Sequence, residues 1–289
     1  AAARLLRLSA ADRSWIELLA AVPPPHGQAL IASLTAAFDL DPGQIPTNCG
    51  FLSQGLKGEF RQPAMRLAVL SQISAFSLAA LRQRLLALLQ SSGTETANAE
   101  CLFRLGLEAR DPTTIARCAI PAARLAEARG DLHDCVGYLT KALPFAQTVD
   151  ATLHAQISEL WACRTAVHEG IGQRTIDLIT HNLAYWRRQR EPLAIGMACL
   201  LLGRLLYYRA EPVAALQSVE QAIVNFELCE ACSELVSARV LAADLNLDSG
   251  NAEGAQRHVT AAEETVRQVG DKAAHLELML AQARLLFLQ

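Results

Sequence analysis

PLAIGMACLLLGRLLYYRAEPVAALQSVEQAIVNFELCE, residues 192–230, consists of two apolar stretches joined at Glu211-Pro212. Each is long enough for a helix of several turns, and proline just past the junction marks a helix start. Gly203 in the first stretch and Ala215 and Ala222 in the second are small, with the branched Val219 between them. Small residues facing one another across two helices let their backbones approach closely, which predicts an antiparallel helix hairpin.

The hairpin recurs. Segments starting at Asp131, Ile171, Glu211 and Asn251 align at intervals of 40 residues. Four residues in stand Cys135, Thr175, Ala215 and Ala255, and eleven in stand Ala142, Asn182, Ala222 and Ala262. At eight stand the branched Leu139, Ile179, Val219 and Val259. These offsets put one stripe of each second helix against its neighbour. Eight residues upstream of each register, and of the next one due, the first helices place Ala123, Cys163, Gly203, Ala243 and Ala283. Turn residues fall between helices at Arg129-Gly130-Asp131, Glu169-Gly170 and Ser249-Gly250-Asn251. The fold expected is all-α: a helical-repeat superhelix over 97–289.

Offsets of twelve and nineteen from Gly203 to Ala215 and Ala222 resemble the tetratricopeptide repeat. That unit usually runs 34 residues, so a period of 40 implies longer helices. The longer form looks like the superhelical sensor region of activators of the maltose-regulon type, found in large bacterial regulators.

No copy of the repeat fits before the Ser/Thr-rich linker at 91–96. Residues 1–90 read as a separate winged-helix-like domain. LRLSAADRSWIELLAAV (6–22) suits a helix capped by Ser9, and HGQALIASLTAAFDLD (26–41) a second. CGFLSQGLKGEFRQ (49–62) suits a small β-hairpin, followed by helices over Ala64–Ile73 and Ser77–Gln90. EFRQPAMRLAVL (59–70) and LRQRLLALL (81–89) resemble the winged-helix segment that follows the nucleotide-binding core in STAND-type signalling ATPases, the class containing LuxR-type activators. Gln62 and Arg82 stand where histidines are common in that class, a departure that bears on contact with a bound nucleotide.

The chemistry of an enzyme is not legible. There is no GxxxxGK[ST] phosphate loop, no HExxH and no GxSxG, so no catalytic residue is expected, nor a cofactor held by these residues. The seven histidines form no i, i+4 pair for a metal. Cys229 and Cys232 make a CxxC, but a tetrahedral zinc site needs two more ligands that no nearby pair supplies, so no metal is expected. The eight cysteines sit mostly on apolar stripes, which suits a reducing cytoplasm.

A net charge of -3 and an isoelectric point near 6.2 give no bulk attraction to nucleic acid or anionic lipid. Arg4, Arg7, Arg13, Lys57, Arg61 and Arg66 make the first domain mildly basic without a recognition helix, and DNA binding is not expected. The apolar run Leu193–Tyr208, interrupted by Arg204, is shorter than the ~20 residues a membrane span needs. With no initiator methionine at Ala1 and an end within LMLAQARLLFLQ, the chain reads as a piece of a larger protein. The STAND resemblance implies an ATPase upstream.

A superhelix of hairpins is expected to bind partners on the face of its first helices. Seven residues before each register stand Arg124, Arg164, Arg204, Asp244 and Arg284, and Met197, His168, Tyr207 and Tyr208 neighbour that column. Arginines beside aromatics suit a protein partner or small effector bearing carboxylate or phosphate. The alternative is that these arginines make inter-repeat salt bridges. Functionally the chain reads as a sensor and interaction module of a STAND-type regulator, with a plain adaptor or the helical arm of a kinase or cyclase as alternatives.

Overall fold

The computed structural model describes residues 5, 7–24, 28–38, 46, 49–52, 59–91, 96–169, 171–269 and 272–288. Among these are fourteen helices and no strand. The chain forms two compact units, Ala1–Ile157 and Ser158–Gln289. The expected break at 91–96 falls inside the first.

In the first unit, α1 (Ala10–Ala21) starts where Ser9 accepts a hydrogen bond from the Asp12 N–H at 3.1 Å. Such a cap stabilises a helix by ~1 kcal/mol. Trp15, Ile16, Leu18 and Leu19 bury its inner face. Helix α2 (Gln28–Phe38) follows, and Arg84 lies 4.5 Å over the Phe38 ring. Helices α3 (Pro63–Leu70) and α4 (Ala75–Ser91) fall within a few residues of expectation. Of the β-hairpin expected at 49–62, the described residues show one antiparallel bridge, Leu52 to Phe60, with the Arg61 N–H donating to Phe51 O at 2.9 Å. Residues 53–58, which would turn it, lie outside the described residues.

Helix α5 (Ala99–Ala109), to which the sequence assigned no register, packs on both α4 and α6 (Pro112–Ala128). One carboxylate clamps the junction. Arg66 on α3 and Arg82 on α4 both reach Glu108 on α5, at 2.8 and 2.5 Å. Arg82, one of the two departures from the winged-helix pattern, is therefore held by an ion pair to α5. Helix α7 (Leu132–Val149) closes a hairpin with α6, and α8 (Ala151–Glu169) spans the division between the units.

The second unit continues with α9 (Gln173–Gln189), α10 (Pro192–Tyr208), α11 (Pro212–Leu228), α12 (Cys232–Asp248), α13 (Ala252–Val269) and α14 (Lys272–Leu288). The pairs α10/α11 and α12/α13 are the expected hairpins. All twelve column residues at offsets four, eight and eleven of the second helices are buried. Even Asn182, polar in a column of alanines, is satisfied: its amide donates to Ser158 Oγ at 2.8 Å. Of the first-helix column, Ala123, Gly203 and Ala243 are buried, Cys163 is half-buried and Ala283 is exposed.

The backbone also shows a shorter rhythm that side-chain columns conceal. Residues 110, 130, 190, 210, 230 and 250 all take positive φ, between 54° and 77°. At each, the next N–H reaches back to a helical carbonyl five residues earlier, as from Asp131 to Ala126 O at 2.9 Å and from Glu211 to Leu206 O at 2.9 Å. This closes the helix in a Schellman motif. The next residue then precedes a new helix. Four of the six left-handed positions are not glycine, namely Arg110, Arg190, Ala210 and Glu230, so the sequence disclosed only some of the turns.

A candidate binding face on the first helices

On α10, Leu193, Met197, Arg204 and Tyr208 follow at intervals of four, seven and four, which places them on one helix face. All four are exposed, Met197 by 45% and Tyr208 by 76%. Gly196, Cys199, Leu200, Gly203 and Leu206 are buried. A helix this apolar needs cover on much of its surface, yet it leaves a methionine, a leucine and a tyrosine to solvent around one guanidinium. Arg204 makes no ion pair among the described residues.

The remaining arginines of the column are placed differently. Arg284 on α14 lies 2.6 Å from Asp244 Oδ1 and 3.3 Å from Asp248 Oδ1, both on α12. The Tyr207 hydroxyl of α10 donates to Asp248 Oδ2, so one chain of contacts ties three successive first helices together. That hydrogen bond to an anion, followed by partial burial, raises the Tyr207 pKa. Burial also raises that of Asp244, against the pull of Arg284. Ser237 Oγ donates to Glu277 Oε2 at 2.7 Å, a parallel tie between α12 and α14. The inter-repeat alternative thus describes Arg284 and Tyr207. Arg164 is half-buried, its Nη1 3.7 Å from Cys163 Sγ. Arg124 is exposed on α6, in the other unit. His168 belongs to α8, and its side chain lies outside the described residues.

A cluster in the first unit escaped the sequence reading. Glu100 on α5 is buried and accepts from Arg129 at 2.7 and 2.8 Å and from the Tyr138 hydroxyl at 3.0 Å. Burial alone would raise its pKa, but these hydrogen bonds outweigh it and hold the carboxyl below the usual range. Burial pushes Tyr138 up to about 12. The network flanks a cleft of about 710 Å³ walled by Phe60, Pro63, Leu67, Arg66, Arg104 and Arg129. Its arginines are occupied: Arg66 by Glu108, Arg129 by Glu100, and Arg104 by the Tyr138 hydroxyl and Pro24 O, both at 2.8 Å. No periodicity could reveal it, because its partners lie 29 to 80 residues apart in segments of different register.

Among the described residues no three His, Cys, Asp or Glu side chains gather to hold a metal, and no single helix is long and apolar enough to cross a membrane. No family model and no curated protein matches the chain. Solved structures do. BtubC (BKLC) from P. vanneervenii is similar at a TM-score of 0.54 and 18% identity, over 72% of this chain and 87% of that one. A signal transduction ATPase with numerous domains (STAND) carrying a tetratricopeptide repeat sensor, from Pyrococcus horikoshii, is similar at 0.50 and 15%, over 97% of this chain. This chain covers 48% of that protein's length. At such identities the likeness is one of fold: an all-α helical repeat of the kind found in a STAND sensor.

Proposed function

We propose that the chain is a non-catalytic sensor and partner-binding module of a STAND-type signalling or transcriptional regulator, engaging a protein or small effector on the first-helix face. One observation carries this reading: Leu193, Met197 and Tyr208 lie exposed around an exposed Arg204 that makes no ion pair among the described residues. Such a face suits an acidic group flanked by apolar side chains, since a charged hydrogen bond and an amphipathic aromatic supply orientation and contact area together. The winged-helix-like N-terminal segment then couples the repeats to an ATPase elsewhere in the parent protein, through the clamp of Arg66 and Arg82 on Glu108. In support stand the fold likeness to a STAND sensor and the lack of a phosphate loop in these residues. LuxR-type transcriptional output and a cytoplasmic location belong to the same proposal.

A second reading, an adaptor without a nucleotide switch, is favoured by the 87% coverage of BtubC, a protein of comparable length. Selection of peptides from a random display library against the 289-residue chain tests what both readings share. Recovered peptides are expected to carry a carboxylate beside apolar residues and to lose binding with Arg204→Ala. Indifference of every recovered peptide to that change contradicts the assignment of the face.

A further inference from the structure

Helix α11 carries an apolar stripe that faces away from its hairpin. Val213, Val224 and Leu228, eleven and four residues apart, fall within roughly 60° of one another around the helix axis. They are 73, 54 and 72% exposed. The other second helices differ at these positions. They place His133, Gln173 and Glu253 where α11 has Val213, and Thr148, Arg188 and Gln268 where it has Leu228. At the position of Val224 they carry Pro144, Ala184 and Glu264. Single apolar side chains at a surface need no explanation, but a stripe confined to one copy of a repeat does.

The helices beside α11 are already seated. Gln221, at one border of the stripe, accepts from Arg187 of α9 at 2.6 Å, and Glu220, at the other, lies 3.3 Å from His258 Nε2 of α13. The stripe stays exposed between them. A continuation of the array in the same rhythm would stack on α14 and leave this face as it is. The charges on the two flanks name the occupant. From the N-terminal end, α9 exposes Arg174, Asp177 and Arg188, and α13 exposes Glu253, Arg257 and Glu264. Counted from the start of each register, these stand at positions three, six and seventeen on α9 and two, six and thirteen on α13. The signs alternate in opposite order, and none of the six makes an ion pair among the described residues.

We infer that this face binds a second copy of the chain, the two copies related by a two-fold axis that runs along α11. Such an axis lays stripe on stripe with the α11 helices parallel, and sets α9 of each copy opposite α13 of the other. Asp177 then meets Arg257 at the same register position, Arg174 meets Glu253 one residue away, and Arg188 reaches Glu264 across one helical turn. A copy turned end for end fails by charge. About the midpoint of the stripe it brings Glu220 against Glu220 and Arg174 against Arg187.

Sedimentation velocity of the 289-residue chain across a concentration series is the test, and a reversible dimer is expected. Val224→Asp should abolish it, with circular dichroism unchanged because Val224 lies at the surface. Asp177→Arg and Arg257→Asp should each weaken dimerisation by about tenfold, since each sets like charges at two symmetry-related contacts. Mixed in equal amounts, the two variants should recover the parent affinity, because the hybrid dimer has one native pair and one reversed pair. Arg204→Ala and Leu280→Glu should leave the dimer intact, which separates this face from the exposed side chains of α10 and α14. A chain monomeric at every concentration, a dimer indifferent to Val224→Asp, or a mixture that fails to recover overturns the inference.

Discussion

Gly203 and Val219 meet with no room between them: a methyl group added at Gly203 would lie 2.5 Å from Val219 Cγ2, well inside van der Waals contact. The contact joins the two columns from which the hairpin was read. Gly203→Ala is therefore expected to destabilise the chain by ~1 to 3 kcal/mol through overpacking, even though alanine is the better helix former by ~1 kcal/mol. Urea denaturation decides it. A stability gain would mean that α10 and α11 are set further apart.

The turns make a prediction of opposite sign. Ala210 is exposed and closes α10 at φ 62°, a conformation that costs a residue with a Cβ and not glycine. Ala210→Gly is expected to stabilise by up to ~1 kcal/mol. Thermal melts of this variant and of Glu230→Gly, where φ is 54°, provide the check. Destabilisation at both sites would contradict the Schellman assignment.

What was legible in the sequence divides along physical lines. The hairpins were legible because tight packing demands small residues at fixed intervals, and those demands repeat. Ala123, Gly203 and Ala243 recur in buried positions for that reason. The left-handed turns at Arg110, Arg190, Ala210 and Glu230 were not, because the residues present there carry no glycine signal and the geometry is imposed by the helices on either side. Within α11 the column residue Val219 is fully buried while its neighbour Leu216, outside the column, is only half-buried and Gln217 and Glu220 are exposed. The arginine column was legible as a pattern but not as a set of roles. Whether a long side chain finds a carboxylate depends on the neighbouring helix: Arg284 meets Asp244, where the same column carries an acid.

Glu100 predicts an acid sensitivity. A carboxyl held below its ordinary value of 4.5 by Arg129 and Tyr138 contributes stability that is fully present above that value and is lost as the pH falls through the folded value. Glu100→Gln should flatten the acid limb of the stability curve. Asp244 and Glu159, both raised by burial, act in the opposite sense, so the quantity to follow is the difference between variant and parent from pH 6 down to pH 3. A constant difference across that range would remove Glu100 from the account.

Arg284 and Arg204 should separate stability from binding. Arg284→Ala leaves Asp244, already desolvated, without its cation, and is expected to lower the denaturation midpoint. Arg204→Ala removes an exposed side chain with no ion partner among the described residues, and should change stability by no more than ~0.5 kcal/mol. Equal losses in the two variants would mean that Arg204 is also a strut.

The most direct test of the binding face is calorimetric titration of the strongest display-selected peptide into the parent chain, Arg204→Ala, Tyr208→Ala and Arg284→Ala. All four are measured at one temperature at which each is folded. Loss of a charged hydrogen bond worth ~1.5 to 3 kcal/mol predicts a fall in affinity of at least about tenfold for Arg204→Ala. Tyr208→Ala should also bind more weakly, and Arg284→Ala should bind like the parent. Unchanged affinity in Arg204→Ala and Tyr208→Ala would contradict the account, because the exposed face of α10 would then have no part in what the protein binds.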